Sequence, residues 1–314
     1  MPWKVLVSAP YMQMQGVIER YRPILERHNI QLVIPPVNER LSESELLEWI
    51  GDIDGVMCGD DQFTERVLRA GSKLKVISKW GTGIDSIDRD VASQLNIPVC
   101  NTTNAFTDPV ADTVLGYILC FARQLPWMDK DVRAGLWSKR SGVSLRECTL
   151  GIIGMGNIGK AVARRAVAFG MHVLCNDIVA PPDSFTRETA IKLVAKELLL
   201  SQSDFVSLNC DLNPTSHHII GSYELTVMKP TAYLINTARG PLIDEQALLD
   251  ALETKSIAGV AMDVFEVEPL PQESDLRKLE NCLLAPHSAN ASPEAYERVH
   301  ENTIHNLLTH LPRS

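Results

Sequence analysis

Thr149 to Asp177 is the stretch that most narrows what this chain can become. It reads Thr-Leu-Gly-Ile-Ile-Gly-Met-Gly-Asn-Ile-Gly-Lys and closes on Met-His-Val-Leu-Cys-Asn-Asp. The apolar run Leu150 to Ile153 suits a buried strand, and Gly154, Gly156 and Gly159 then take a G-x-G-x-x-G spacing at the mouth of a helix. Gly154 permits the tight strand-to-helix turn. Gly156, with no Cβ, lets a pyrophosphate approach the backbone, and Gly159 lets the helix pack close to the strand. The loop of Gly154, Met155, Gly156, Asn157, Ile158 and Gly159 would thus lay phosphates on a helix N-terminus, where N–H groups and the helix dipole favour negative charge. Ile158, Val162, Ala166 and Phe169 recur at helical spacing, and Gly170 stops the helix. A second strand, Met171 to Asn176, leads to Asp177, near the ~20-residue distance at which a carboxylate meets the ribose hydroxyls.

A glycine-rich turn with no ligand would satisfy the spacing alone. The strand before it, the helix after it and the acid closing the next strand together read as a dinucleotide site. Asp177 also discriminates between cofactors: a 2′-phosphate ~4 Å from its carboxylate would be repelled by about 1 to 4 kcal/mol. Ile178, Val179 and Ala180 supply no arginine to hold such a phosphate. The expected cofactor is NAD, not NADP.

At 314 residues the chain exceeds one ordinary core and predicts two domains. Its 45% apolar and 22% charged residues exclude a disordered or fibrous chain. A net charge of -9 argues against nonspecific nucleic-acid binding, because no excess of Lys and Arg exists to displace counterions from phosphates. The seven cysteines (58, 100, 120, 148, 175, 210 and 282) form no C-x-x-C pair and read as reduced thiols of a cytoplasmic protein, with no metal site expected. Val5-Leu6-Val7 is too short for the apolar core of a secretory signal, and the longest hydrophobic segment, Thr113 to Ala122, is about half of the ~20 residues a membrane crossing needs.

Residues 1 to about 100 alternate strand-like runs (Val5 to Val7, Gln31 to Ile34, Val56 to Cys58, Lys75 to Ser78, Val99 to Cys100) with helical segments. Ser42 and Glu45 have capping-box spacing before a helix that should stop at Gly51, and Thr64 and Gly71 bracket another. Such alternation implies a parallel sheet covered by helices. Asn101 to Gln124 reads as a loop and an apolar helix. Beyond the glycine loop follow strands at Phe205 to Asn209, Ala232 to Asn236, Ile257 to Met262 and Cys282 to Ala285, then a terminal helix at about Pro293 to Leu308. A complete βα pattern precedes the fingerprint, so the nucleotide domain is the middle of the chain. The fold expected is α/β, with two doubly wound parallel-sheet domains.

A dinucleotide site implies hydride transfer, which on an alcohol needs an acid/base for the hydroxyl proton and a cation for substrate charge. Leu234 to Gly240 is a strand whose C-terminal end presents Arg239, and open α/β sheets bind ligands at that edge. Arg239 can grip a carboxylate with two parallel bonds. Asp263 to Pro269 follows the next strand and carries Glu268; Ala285 to Asn290 follows the last and carries His287, whose ordinary pKa suits proton transfer. Singly, these residues read as a solvated arginine, a solvated carboxylate and a structural histidine. Together, at the ends of three successive strand-like runs downstream of a dinucleotide fingerprint, they read as catalytic.

Gly154-Met-Gly-Asn-Ile-Gly159, Asn236-Thr-Ala-Arg-Gly240, Asp263-Val-Phe-Glu-Val-Glu-Pro269 and Pro286-His287-Ser-Ala289 resemble the motifs of the D-isomer-specific 2-hydroxyacid dehydrogenases along almost the whole chain. The resemblance implies that Arg239 binds the substrate carboxylate, His287 is the acid/base and Glu268 pairs with it. It further implies that Gly81, Thr82 and Gly83 give N–H groups to substrate, that Asp263 contacts the nicotinamide carboxamide and Thr107 the cofactor phosphate or ribose, and that Cys210, Thr237, Ala238 and Ala289 line the cofactor. It also implies a Rossmann NAD-binding domain (101–288) inserted into a flavodoxin-like substrate domain (1–100, completed by a terminal helix within 289–314), a cleft that closes, and a homodimer. Where the family often has His-x-Pro-Leu, this chain has Asn209-Cys210-Asp211-Leu212. Where phosphoglycerate dehydrogenases tend to carry a phosphate-binding arginine, it has Cys58-Gly59-Asp60-Asp61, whose two carboxylates would repel a phosphate. The expected activity is NAD-dependent interconversion of a small, non-phosphorylated D-2-hydroxy acid and its 2-oxo acid. The alternatives are 3-phosphoglycerate, phosphonate or formate oxidation, and a corepressor-like dinucleotide sensor.

Overall fold

The computed structural model describes residues 2–311 and divides into two compact units, one running up to Phe106 and resuming at Ser292, the other spanning Thr107–Ala291. The boundaries differ slightly from those expected: residues 101–106 belong with the first unit, and 289–291 with the second.

The first unit holds strands β1 (Trp3–Val7), β2 (Ile30–Val33), β3 (Gly55–Cys58), β4 (Val76–Lys79) and β5 (Val99–Cys100) in one parallel sheet of order β2-β1-β3-β4-β5. That is the flavodoxin-like order. Both β3 and β4 are buried along their length, as a sheet covered on two faces requires. The Ser42 capping box forms on the helix Glu43–Trp49. Gly51 does not end that helix; it sits inside a 3-10 turn, Ile50–Asp52, that prolongs it. Thr64 caps Glu65–Ala70 and Gly71 follows it as expected. The terminal helix, Pro293–His310, packs on this sheet: Ser78 Oγ donates to Thr303 O (2.8 Å), and Leu307 lies against Gly55.

The second unit is a seven-stranded parallel sheet, ordered β12-β11-β10-β9-β6-β7-β8: β6 (Thr149–Ile153), β7 (His172–Asn176), β8 (Lys192–Leu193), β9 (Phe205–Leu208), β10 (Tyr233–Asn236), β11 (Gly259–Met262) and β12 (Cys282–Leu284). The order reverses between β6 and β9, the switch point at which doubly wound sheets open a crevice beyond their strand ends. One apolar cluster joins β6 to the helices Thr107–Arg123 and Asn157–Ala168 through Val114, Ile118, Leu150, Ile152 and Val162. Another fills the opposite side with Leu208, Leu234, Leu248 and Val260. Among the described residues no helix is long and apolar enough to cross a membrane, and all seven cysteines are free thiols.

Candidate active site

The glycine loop leaves β6 at Gly154, whose φ of +95° is left-handed and whose missing Cβ would stand 2.5 Å from Cys210 N. A Cβ on Gly159 would lie 2.0 Å from Gly154 O, so only glycine lets the first helical turn press on the loop. Around Gly156 there is nothing within 4 Å of where a Cβ would sit, and no side chain caps the helix there. Hence an anion can reach the helix N-terminus. Asp177 does more than close β7: its Oδ2 accepts from Met155 N inside the loop and its Oδ1 from Val179 N at 2.9 Å. Cys210 is half-buried at the end of β9, and burial pushes its thiol to about 11, so it is a packing residue at neutral pH. Asn209 Oδ1 and Thr237 Oγ1, at the ends of β9 and β10, are buried and have no partner among the described residues. Two unpaired buried oxygens and an open glycine cradle at one sheet edge fit a polar ligand such as NAD.

Three loops at the C-terminal ends of the neighbouring strands β10, β11 and β12 carry Arg239, Glu268 and His287. The Arg239 loop is shaped by Asn236, whose Oδ1 accepts from Ala238 N (3.1 Å) and whose Nδ2 donates to Arg239 O (2.8 Å). Arg239 is half-buried, and its Nη1 donates to Ala238 O (2.8 Å). Gly240 follows because a Cβ there would stand 1.9 Å from both C and O of Phe265, on the Glu268 loop. That contact fits the two loops together.

Glu268 divides its carboxylate. Oε1 accepts from Phe265 N (2.9 Å), and Oε2 lies 2.9 Å from Nδ1 of His287. The first bond fixes the carboxylate to its own loop, and the second orients the imidazole and assigns the proton on Nδ1. His287 adopts φ +49°, a left-handed conformation that non-glycine residues hold only when their surroundings impose it. Asp263, at 1% exposure, is what imposes it. Its backbone O accepts from His287 N (2.7 Å), its Oδ1 from Ser288 N (2.9 Å) and its Oδ2 from Ala289 N (2.8 Å). Asp263 therefore uses both oxygens to hold the His287 turn, a role the sequence did not disclose. Thr113, on the helix Thr107–Arg123, adds a further tie through Oγ1 to Ala289 O (3.2 Å). Thr107 is the first residue of that helix.

Gly81, Thr82 and Gly83 lie in the first unit, after β4. Gly81 has φ +122°, Gly81 O accepts from Thr102 N (2.8 Å), and Thr82 Oγ1 donates to Thr102 O (2.9 Å). Beside Gly81 sits the buried ammonium of Lys79, which donates to Trp80 O (3.2 Å) and pairs with Asp60 at 3.0 Å. This corrects the reading of Asp60 and Asp61 as two carboxylates facing a phosphate. Asp60 is neutralised by Lys79. Asp61 is fully buried, accepting from Ser8 Oγ (2.6 Å), Leu41 N (2.6 Å) and Gly59 N (3.0 Å). No group of His, Cys, Asp and Glu among the described residues could hold a metal ion.

Residues 115–289, more than half of the chain, match the family model described as D-isomer specific 2-hydroxyacid dehydrogenase, NAD binding domain. A glyoxylate reductase of Korarchaeum cryptofilum is 40% identical over 274 residues, covering 85% of this chain and 82% of the relative. Among solved structures, the glyoxylate reductase from Paecilomyes thermophila superposes with a TM-score of 0.84 at 30% identity, over 99% of this chain and 96% of that one. The D-lactate dehydrogenase from Aquifex aeolicus, complexed with NAD and lactic acid, superposes with a TM-score of 0.86 at 28% identity, over 96% and 93%.

Proposed function

The chain belongs to the D-isomer specific 2-hydroxyacid dehydrogenase family, NAD-dependent oxidoreductases of hydroxy and oxo acids, and from that premise we propose that it reduces a short, non-phosphorylated 2-oxo acid of glyoxylate size. The observation that carries the reading is the Glu268–His287 pair, held at 2.9 Å on the sheet edge that also bears the glycine loop.

NADH, when bound, supplies the hydride. Arg239 takes the substrate carboxylate with its guanidinium fork and aligns the carbonyl. His287 gives the proton from Nε2 to the carbonyl oxygen as the alcohol forms, and takes it back in the reverse direction. Glu268, accepting from Nδ1, fixes the ring so that Nε2 is the nitrogen left to exchange the proton. Thr237, Ala238, Cys210, Ala289 and the glycine loop would line the cofactor. Asp177, which also accepts from Met155 N, would hold the ribose hydroxyls.

A phosphorylated substrate is the second reading, favoured by Lys79: its pairing with Asp60 removes the repulsion that would otherwise exclude phosphate. Steady-state NADH oxidation with glyoxylate, pyruvate, hydroxypyruvate and 3-phosphohydroxypyruvate decides between them. The first reading expects the highest kcat/KM on an unphosphorylated acid. Preference for the phosphorylated acid overturns the substrate class, and tight NADH binding without turnover on any acid overturns the enzyme in favour of a sensor.

We also propose a cytoplasmic homodimer. The segment 125–143 of the second unit exposes Leu125, Val132, Leu136, Val143 and Trp137, the last 86% exposed, and exposed apolar side chains gathered in one segment are a feature of interaction surfaces. Asp131, bonded to Ser138 and Arg140, holds this segment in shape. Sedimentation of Trp137→Glu beside the native chain tests it, and an unchanged mass would refute it.

A further inference from the structure

His218 lies outside the proposed catalytic set and touches two of its loops at once. It lies in the turn before Ile220, with φ +50°. Its backbone N–H donates to Pro241 O (2.9 Å), two residues past Arg239. Its ring Nε2 lies 2.8 Å from Glu266 Oε1, two residues before Glu268. Glu266 is gripped from a second side: its N–H donates to Glu245 Oε2 (3.3 Å), and its Oε1 accepts from Glu245 N (3.5 Å). The neighbouring backbone fixes the frame, because Ile220 N donates to Leu242 O (3.1 Å) and Asp244 N to Ile220 O (3.0 Å). His217 stacks on the His218 ring with centroids 3.9 Å apart.

Histidine is among the few non-glycine residues enriched at left-handed φ, and such a conformation persists only where several contacts determine it. Here the contacts are a backbone bond to one functional loop and a ring bond to another. We propose that His218 is a positioning residue that sets the spacing between the Arg239 loop and the Glu268 loop. The ring does not reach the reacting atoms. It acts through Glu266 on Glu268, and through Glu268 on the orientation of His287. The inference rests on the roles given above to Arg239, Glu268 and His287.

The pair is about one-third exposed, so its bond contributes little to global stability. Its effect belongs in geometry, where displacements of a fraction of an ångström are felt. His218→Ala in the full-length protein should lower kcat for a 2-oxo acid by about three- to ten-fold and raise KM for that acid, with the NADH dissociation constant unchanged. His218→Gln, which keeps an N–H donor at the reach of Nε2, should recover most of the loss; a merely structural role would show no such rescue. Glu266→Gln provides the second variant should His218→Ala fold poorly. Combined with His218→Ala it should cost little more than the larger of the two single losses, because both act on one bond. Native kcat and KM in both His218→Ala and Glu266→Gln, or additive losses in the double variant, would overturn the proposal. His287→Ala measured alongside separates the two levels. A dead His287→Ala with a native His218→Ala sinks only the bridge, whereas an active His287→Ala sinks the catalytic assignment beneath it.

Discussion

Adding one methyl group at Gly240 tests the geometry of the site with the smallest change available. In Gly240→Ala the new Cβ would stand 1.9 Å from both C and O of Phe265 and 2.5 Å from Glu266 N. Ordinary van der Waals contact begins at 3.4 Å, so the loops must part by about 1.5 Å along the line of the clash. The three nearest atoms are all backbone and cannot rotate aside. The separation therefore falls on the Arg239 loop, the Glu268 loop, or both. A misplacement near 1 Å costs roughly a hundred-fold in rate, about 2.7 kcal/mol of transition-state stabilisation. The strain should also cost the fold ~1 to 3 kcal/mol. For a unit of this size, that lowers the melting temperature by ~2 to 4 °C per kcal/mol. The assay is steady-state NADH oxidation with the best 2-oxo acid, paired with calorimetry and NADH titration. Expected are kcat/KM down about a hundred-fold, a modestly lower Tm and cofactor binding retained. A folded variant with near-native kcat/KM would refute the claim that the fit between these loops aligns Arg239 with Glu268 and His287.

His287→Ala should lower turnover by roughly two to four powers of ten with NADH affinity nearly intact, and near-native turnover would end its assignment as acid/base. Asp177→Ala should weaken NAD binding and narrow the preference against NADP, as ratios of kcat/KM for the two cofactors will show; because Asp177 also holds Met155 N, the glycine loop should loosen as well. In the first unit, burial holds buried His300 below its ordinary 6.5, and its Nδ1 is the acceptor for Trp80 Nε1–H (2.9 Å). The unfolded chain therefore binds more protons than the folded one at acid pH, and stability should be lost as pH falls through 6.5 toward the lower folded value. Thermal melts across that range should show the loss, and His300→Gln, whose amide oxygen can still accept from Trp80, should flatten it.

Most strands were legible because buried parallel strands are short apolar runs between turn signals, and β3, β6, β9 and β11 are of that kind. β8 was not legible: Lys192 and Leu193 are two exposed residues at the sheet edge, made a strand only by pairing with Leu174 and Cys175. The glycine fingerprint, Asp177 and the candidate set Arg239, Glu268 and His287 were proposed from spacing and residue type, and the sheet places the last three on the ends of neighbouring strands. Their second partners could not be read in this way. Nothing local marks Asp263 as the acceptor for Ser288 and Ala289, Asn236 as the shaper of the Arg239 loop, or His218 as a bridge, because each depends on residues distant in sequence that the parallel sheet brings side by side. Asp60 and Asp61 misled for the same reason: their counter-charge and donors, Lys79, Ser8 and Leu41, lie elsewhere along the chain.

The buried carboxylate of Asp263 has a consequence for turnover. Since its two oxygens hold the amides that follow His287, the awkward bend beneath the imidazole is settled once, when the chain folds. If His287 is the acid/base proposed above, its ring, held by Glu268, would start every cycle from the same backbone footing.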